Sequence, residues 1–275
     1  MKSVLFGYTL AILLFCSKTS LHAQAFLQDS LAEQQLLAND STKSSLEFEK
    51  LNKAFVVNSF KDGVAIAASP FHWQKKDWLK FSALAGGMGS LMLLDKEIKS
   101  IARHNQNNFT SSVARGVEPV GNIYGLFVFP AIYVTGLAIK NQHFKSIGLR
   151  GSKAMVISSV ICFAGKNLIR RQRPDAAATP FNFAAPFSKS KYSSFPSAHS
   201  SIAFTLATAL AMEFPDQKWV GPVAYSIASL TAISRVYNNR HWTSDVLVGA
   251  ALGHFVTKAV YNREQKRHRP AKTFM

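Results

Sequence analysis

An all-α fold, a bundle of six helices embedded in or associated with a membrane, is what this sequence predicts. Three observations lead there. Apolar residues gather in six segments, roughly residues 78–94, 121–139, 154–165, 200–212, 219–234 and 246–260, with polar loops between them. None of the six shows the strict apolar–polar alternation of a half-buried strand. Gly, Ala and Ser recur inside them, and small residues let helices approach closely, in bilayers and in tight bundles alike.

Composition bounds the rest. A chain of 275 residues suits one domain plus extras, and a 48% hydrophobic share is enough for a sizeable core. The formal charge of +17 points toward nucleic acid, anionic lipid or phosphorylated substrates. Nucleic acid is set aside: the aromatics fall mostly inside the apolar segments, and no zinc-finger or helix-turn-helix pattern is present. Cys16 lies in an N-terminal apolar run and Cys162 in the third segment. A chain that sheds its N-terminus keeps one thiol, which leaves no internal disulfide and no cysteine metal site.

Residues 1–25 read as a secretory signal, with Lys2 as its basic start, an apolar run over 4–15 and the small-residue pattern Ala23-Gln24-Ala25. An uncleaved anchor is the alternative. Residues 26–75 form a polar extension in which Leu31, Leu36 and Leu37 suggest a short amphipathic helix and Asn39-Asp40-Ser41-Thr42 a break. The stretch 71–80 mixes Phe71, Trp73 and Trp78 with Lys75, Lys76 and Lys80, as a membrane interface or an amphipathic helix start does. The helical bundle occupies 76–262, and 263–275 is a basic tail.

Chemistry-bearing residues cluster at the bundle's joints. His241 and Asp245 are spaced i, i+4, so a helical turn puts both on one face. A carboxylate beside an imidazole fixes its tautomer and raises its basicity, which makes a usable nucleophile or base. Arg235, just upstream, is a planar permanent cation suited to phosphate. The bland alternative is a surface His–Asp pair at a helix start. Lys166, Arg170 and Arg173 fall at i, i+4 and i+7 on a helix continued from the third segment. Arg170 and Arg171 read as a solvated or headgroup-facing side. Pro196-Ser197 opens the fourth helix, whose first N–H groups, at Ser197, Ala198 and His199, would face an anion. In an up-down bundle these ends all lie at one pole. His72, His104, His143 and His268 fall in polar or basic loops, and His254 reads as a hydrogen-bonded core residue.

Three fixed spacings recur: Lys166, six residues, Arg173-Pro174; Pro196-Ser197-Ala198-His199; and Ser234-Arg235, five residues, His241, three residues, Asp245. Together they resemble the signature of the type 2 phosphatidic acid phosphatase superfamily, which also holds bacterial non-specific acid phosphatases and vanadium haloperoxidases. The resemblance covers roughly residues 150–260, and three motifs at fixed spacing are far more specific than one. Ala198 stands where that family usually has glycine; its backbone N–H is retained.

The resemblance implies a six-helix phosphatase that needs neither metal nor cofactor. It implies that Lys166, Arg173 and Arg235, with Ser197 and the Ala198 N–H, surround a phosphoryl group. It further implies that His241 attacks phosphorus to give a phosphohistidine, Asp245 orients it, and His199 protonates the leaving oxygen and then activates water. The substrate expected is a lipid phosphate monoester or pyrophosphate, with membrane lipid as neighbour and no obligate protein partner. The alternatives are a soluble periplasmic acid phosphatase acting on small phosphomonoesters, a vanadium haloperoxidase, and a non-catalytic phospholipid-binding envelope protein.

Membrane topology is contradictory at this level. Only 121–139 reaches the roughly 18–20 uncharged residues a crossing needs, and the mean hydropathy is +0.05. Basic residues over 140–153 and after Thr257 lie opposite the motifs, which by the positive-inside rule turns the active site toward the periplasm. A cleaved signal implies the reverse.

Overall fold

The computed structural model describes residues 50–188 and 192–267. The signal expected at 1–25, the short helix around Leu31–Leu37 and residues 268–275 of the basic tail lie outside the described residues. The described chain is helical: α1 Lys53–Ala67, α2 Lys75–His104, α3 Asn108–Gly121, α4 Ile123–Ala138, α5 Gln142–Ile169, α6 Ala198–Glu213, α7 Val220–Tyr237 and α8 Thr243–Arg267. A 3-10 turn, Ser69–His72, links α1 to α2. Among the described residues the only strand-like feature is a single bridge between Arg171 and Phe183.

Asparagine starts half of the helices. The side chains of Asn52, Asn107, Asn122 and Asn141 accept N–H groups from the first turns of α1, α3, α4 and α5. A short polar side chain in this place satisfies donors that the helix itself cannot. The six apolar segments correspond to α2 and α4 to α8, apart from a few end residues. Two helices are additional. Residues 53–67, expected to belong to a polar extension, form α1, and residues 108–121 form α3.

Two boundaries differ from expectation. The helix carrying Lys166 stops at Ile169, because Arg170 adopts the left-handed conformation with φ 41° and ψ 55°. Lys166, Arg170 and Arg173 therefore do not share a helix face. The stretch 121–139 is cut by the Asn122 cap, so α4 has 16 residues and reaches span length only with α3, across a 51° bend. The described helix long and apolar enough to cross a bilayer alone is α5, with 28 residues.

Helix α6 lies at the centre, against α3, α5, α7 and α8. Its approach to α8 is backbone to backbone. A Cβ on Gly249 would sit 2.3 Å from the Ser197 carbonyl oxygen, and one on Gly253 2.3 Å from that of Ser201. Only glycine permits this spacing, and it holds the start of α6 against the start of α8. Phe129, Ile147, Met155, Leu206, Val256 and Val260 form the main core around these helices.

The polarity is inverted relative to a water-soluble bundle. Ser146, Ser158, Ser200, Ser201, Thr205, Thr208, Thr231 and Thr257 are buried, while Phe127, Val134, Val156, Val160, Phe163 and Ile233 are exposed on the outer faces of α4, α5 and α7. Hydroxyls and small residues inside, with large aliphatic and aromatic side chains outside, are the pattern of helices packed in lipid. His254 fits this interior, half-buried and hydrogen-bonded to Thr208 (3.1 Å) and Tyr225 (2.9 Å).

At the pole away from the motifs, the basic residues are internally paired. Lys153 is buried between Asp62 (2.5 Å) of α1 and Glu264 of α8. Arg263 reaches Asp62 at 2.7 Å, and Arg267 bonds the same carboxylate. Arg150 pairs with Glu213 at 2.6 Å. Residues 142–153 are thus the first half of α5 and not a loop. Four of the charges that suggested a cytoplasmic side face carboxylates instead.

A Gly249→Ala substitution should cost about 1–3 kcal/mol of stability and lower activity, because it pushes the two helix starts apart. Thermal unfolding in detergent would report it; an unchanged melting temperature would contradict the close α6–α8 contact.

Candidate active site

Four joints converge at one pole: the end of α5, the start of α6, the end of α7 and the start of α8. The Arg235 carbonyl, near the end of α7, accepts the N–H groups of Arg240 (2.9 Å) and His241 (3.3 Å). Asn239 takes a left-handed turn, φ 56°, which asparagine tolerates. This winding brings His241 back beside the α7 terminus. Asp245 then sits in the first turn of α8 and reaches back to the Trp242 N–H at 3.0 Å, as a residue closing a capping box does. His241 precedes the helix, so its pairing with Asp245 is made by the loop and not by a helical turn.

His241 is buried, and its Nδ1 lies 3.9 Å from Asp245 Oδ2. That is beyond hydrogen-bond range, so the pair interacts electrostatically. Asp245 is held by other donors: Arg171 Nη1 at 2.6 Å, Ser194 Oγ at 2.5 Å and the Trp242 N–H. Its own carbonyl accepts the Ser197 N–H at 3.1 Å, which joins the α8 start to the α6 start.

Lys166 donates to the carbonyls of Ser193 (2.8 Å) and Pro196 (2.7 Å). It thereby fixes the turn leading into α6, and one of its three N–H bonds remains. Arg235 is buried and donates through Nη1 to Glu118 of α3 at 2.6 Å. The Nε atoms of Arg173 and Arg235, like His241 Nδ1, are buried and have no hydrogen-bond partner among the described residues. Buried donors without acceptors are costly, and an anion between them would satisfy both.

Helix α6 opens with Ser197 as its N-cap. Ser197 Oγ accepts from the N–H (3.4 Å) and the hydroxyl (3.0 Å) of Ser200. Its oxygen serves the helix and its N–H is taken by the Asp245 carbonyl, while the Ser197 hydroxyl hydrogen remains for the phosphate contact that the resemblance implies. The Ala198 and His199 N–H groups remain at the positive end of the helix dipole. His199 stands in the same turn.

These groups act on one another's charge states. Burial, then the charges of Lys166 and Arg173, depress the His241 pKa to about 4 against the opposing pull of Asp245. Burial, Arg235 and His241 lower that of His199 to about 4, opposed by Glu118. Among the described residues no group of three or more His, Cys, Asp or Glu converges to hold a metal ion.

Sequence reasoning misplaced two residues and missed several: Arg170, expected on a solvated side, is half-buried and donates to the carbonyls of Ser188 and Tyr192. Arg171, expected on a solvated side, is buried and bonds both Asp245 and Asp95 of α2, the latter at 2.9 Å. Its one visible sign was its place inside the Lys166–Arg173 motif. Asp95, Glu118, Ser244 and Trp242 were not singled out; Asp95 alone leaves a trace, as an acid flush against an apolar helix run.

A model of the PAP2 superfamily matches residues 152–269. An undecaprenyl-diphosphatase of Sulfolobus acidocaldarius is 30% identical over 146 residues, which are 50% of this chain and 69% of that protein. The chain belongs to the PAP2 superfamily. A lipid A 1-phosphatase of Porphyromonas gingivalis is 40% identical over 99 residues, 36% of this chain but 19% of that longer protein. The crystal structure of a transmembrane PAP2 type phosphatidylglycerolphosphate phosphatase from Bacillus subtilis superposes with a TM-score of 0.53 at 27% identity, covering 72% of this chain and 96% of that one. The PAP2 match spans α5 to α8. Asp95 and Glu118 lie outside it, on helices that the motifs do not mark.

A lowered pKa keeps the His241 imidazole neutral, and so nucleophilic, at any pH above about 4. Activity that depends on it is lost as pH falls through about 4. The acid limb of kcat/KM, corrected for substrate ionisation, should lie there; a limb near the ordinary imidazole value would mean that His241 is solvated.

Proposed function

We propose that this PAP2 protein is a metal-independent phosphatase of the bacterial cell envelope, hydrolysing a phosphate monoester or pyrophosphate on a lipid through a phosphohistidine at His241. One observation carries the reading: Arg173 and Arg235, each with a buried Nε donor that has no partner among the described residues, stand with Lys166 around a buried histidine held neutral at pH 7. This is a cradle for a phosphoryl group facing a nucleophile.

In the proposed reaction the phosphoryl oxygens lie among Lys166, Arg173, Arg235 and the Ala198 and His199 N–H groups. With Nδ1 turned toward Asp245, Nε2 of His241 attacks phosphorus in line. The bond to the leaving oxygen breaks, and His199 gives that oxygen a proton. Burial and then the neighbouring cations keep His199 neutral; an incoming phosphate dianion offsets the cations, so its basicity rises where the proton is needed. In the second half His199 takes a proton from water, the hydroxide attacks phosphorus, and His241 is released with inorganic phosphate. The three cations meet the charge that develops, so no step requires a metal.

The inverted polarity of the bundle, apolar outside and hydroxyl-rich inside, favours a lipid substrate presented from the bilayer over a small soluble ester. The pocket is read as opening on the periplasmic side, supported by the exposed basic residues left at the opposite pole, Lys140 and Lys266.

The deciding assay is phosphate release by detergent-purified protein, with chelator present, from phosphatidic acid and from a small water-soluble phosphomonoester. Strong preference for the lipid, no loss with chelator and a fall of about 10³-fold or more for His241→Ala are expected. Equal or faster hydrolysis of the small ester would instead make the chain a broad-specificity acid phosphatase. Retained activity in His241→Ala would remove the phosphohistidine.

A further inference from the structure

Beneath His241 lies a node of three buried charges, Asp95, Arg171 and Asp245, each at most 1% exposed. Arg171 Nη1 donates to Asp245 Oδ1 (2.6 Å) and Ser244 Oγ (2.7 Å); Nη2 donates to Asp95 Oδ2 (2.9 Å), and Nε to the Pro180 carbonyl (2.8 Å). Asp95 also accepts from Ser244, through the hydroxyl at 2.5 Å and the N–H at 3.1 Å. The arginine is therefore shared by two carboxylates.

We infer that Asp95 is a positioning residue of this active site: by dividing Arg171 with Asp245 it leaves a net negative charge under His241, which stabilises the ring as it becomes cationic. The inference rests on His241 being the nucleophile. A lone Arg171–Asp245 pair would be neutral, and neutral is what burial favours. A second buried carboxylate is costly unless a positive charge appears beside it. On the substrate side the charges facing His241 are Lys166 and Arg173. Both oppose a cationic ring, so its stabilisation comes from below. When Nε2 takes the phosphoryl group, the imidazole becomes an imidazolium with its Nδ1–H turned to Asp245 Oδ2. The extra negative charge supplied by Asp95 keeps that oxygen from being neutralised by Arg171.

A purely architectural role is the competing account, since Asp95 also ties α2 to the first turn of α8. Charge and architecture separate in a double-mutant cycle. Asp95→Asn removes the charge and keeps the shape. It should lower kcat about 10–100-fold while KM, and inhibition by inorganic phosphate, stay within about twofold, because the cradle is untouched. Asp95→Glu, which keeps the charge on a longer stem, should retain kcat within about fivefold. The double variant D95N/R171Q restores the net charge of the node. It should be at least about threefold faster than Asp95→Asn alone. Unchanged kcat in Asp95→Asn, equal losses in Asp95→Glu and Asp95→Asn, or a double variant at the product of the two single losses would each overturn the inference. A His241→Ala sample run alongside separates the two failures. Activity there removes the nucleophile itself, whereas a dead His241→Ala with an unaffected Asp95→Asn removes only the role of Asp95.

Discussion

One guanidinium organises the catalytic pole. Arg171 sits just beyond α5 and bonds a carboxylate from α2 and another from the start of α8. Three segments far apart in the chain are thereby tied together. A buried ion pair adds little net stability, because desolvation offsets most of the attraction, but removing one partner strands the other at a cost of about 3–5 kcal/mol. Such a node is stiff for that reason. It also explains why Asp245 does not close on His241. With Arg171, Ser194 and the Trp242 N–H on its oxygens, the carboxylate is held in place and acts on the imidazole through its field, across 3.9 Å.

The second constraint is the close approach of α6 and α8. Gly249 and Gly253 place the α8 backbone against the carbonyls of Ser197 and Ser201. The α6 N-terminus, with its free Ala198 and His199 N–H groups, is thereby set beside Asp245. The Ser197 N–H that bonds the Asp245 carbonyl closes the same joint from the other side. Small residues set both the packing and the pocket here, since the approach that fills the interior also brings the α6 N-terminus beside Asp245.

The inside-out polarity reconciles a low mean hydropathy with large apolar outer faces. Buried hydroxyls lower the average hydropathy without touching lipid, and the large apolar side chains lie on the outer faces. At the far pole, Asp62 of α1 draws Arg263, Arg267 and Lys153 into one cluster. Charge counted along the chain overstates the free basic charge there, because a carboxylate about 90 residues away neutralises Lys153 and no local count contains it.

What was legible from residues alone is what repeats or keeps a fixed spacing. Apolar segments of helical length made the chain all-α. The three motifs singled out Lys166, Arg173, His199, Arg235, His241 and Asp245, which the fold brings to one pole, since short-range spacing is written in the chain. Helix ends were less legible: Arg170 in a left-handed turn and His241 outside α8 break the spacing arguments that put them on helix faces. Only the folded chain decided that Arg171 is buried and that Asp95 and Glu118 stand behind the site. The Arg171, Asp95 and Glu118 contacts depend on partners more than 70 residues away. A side chain's charge and length are properties of the sequence; whether it meets water, lipid or a carboxylate is settled by packing.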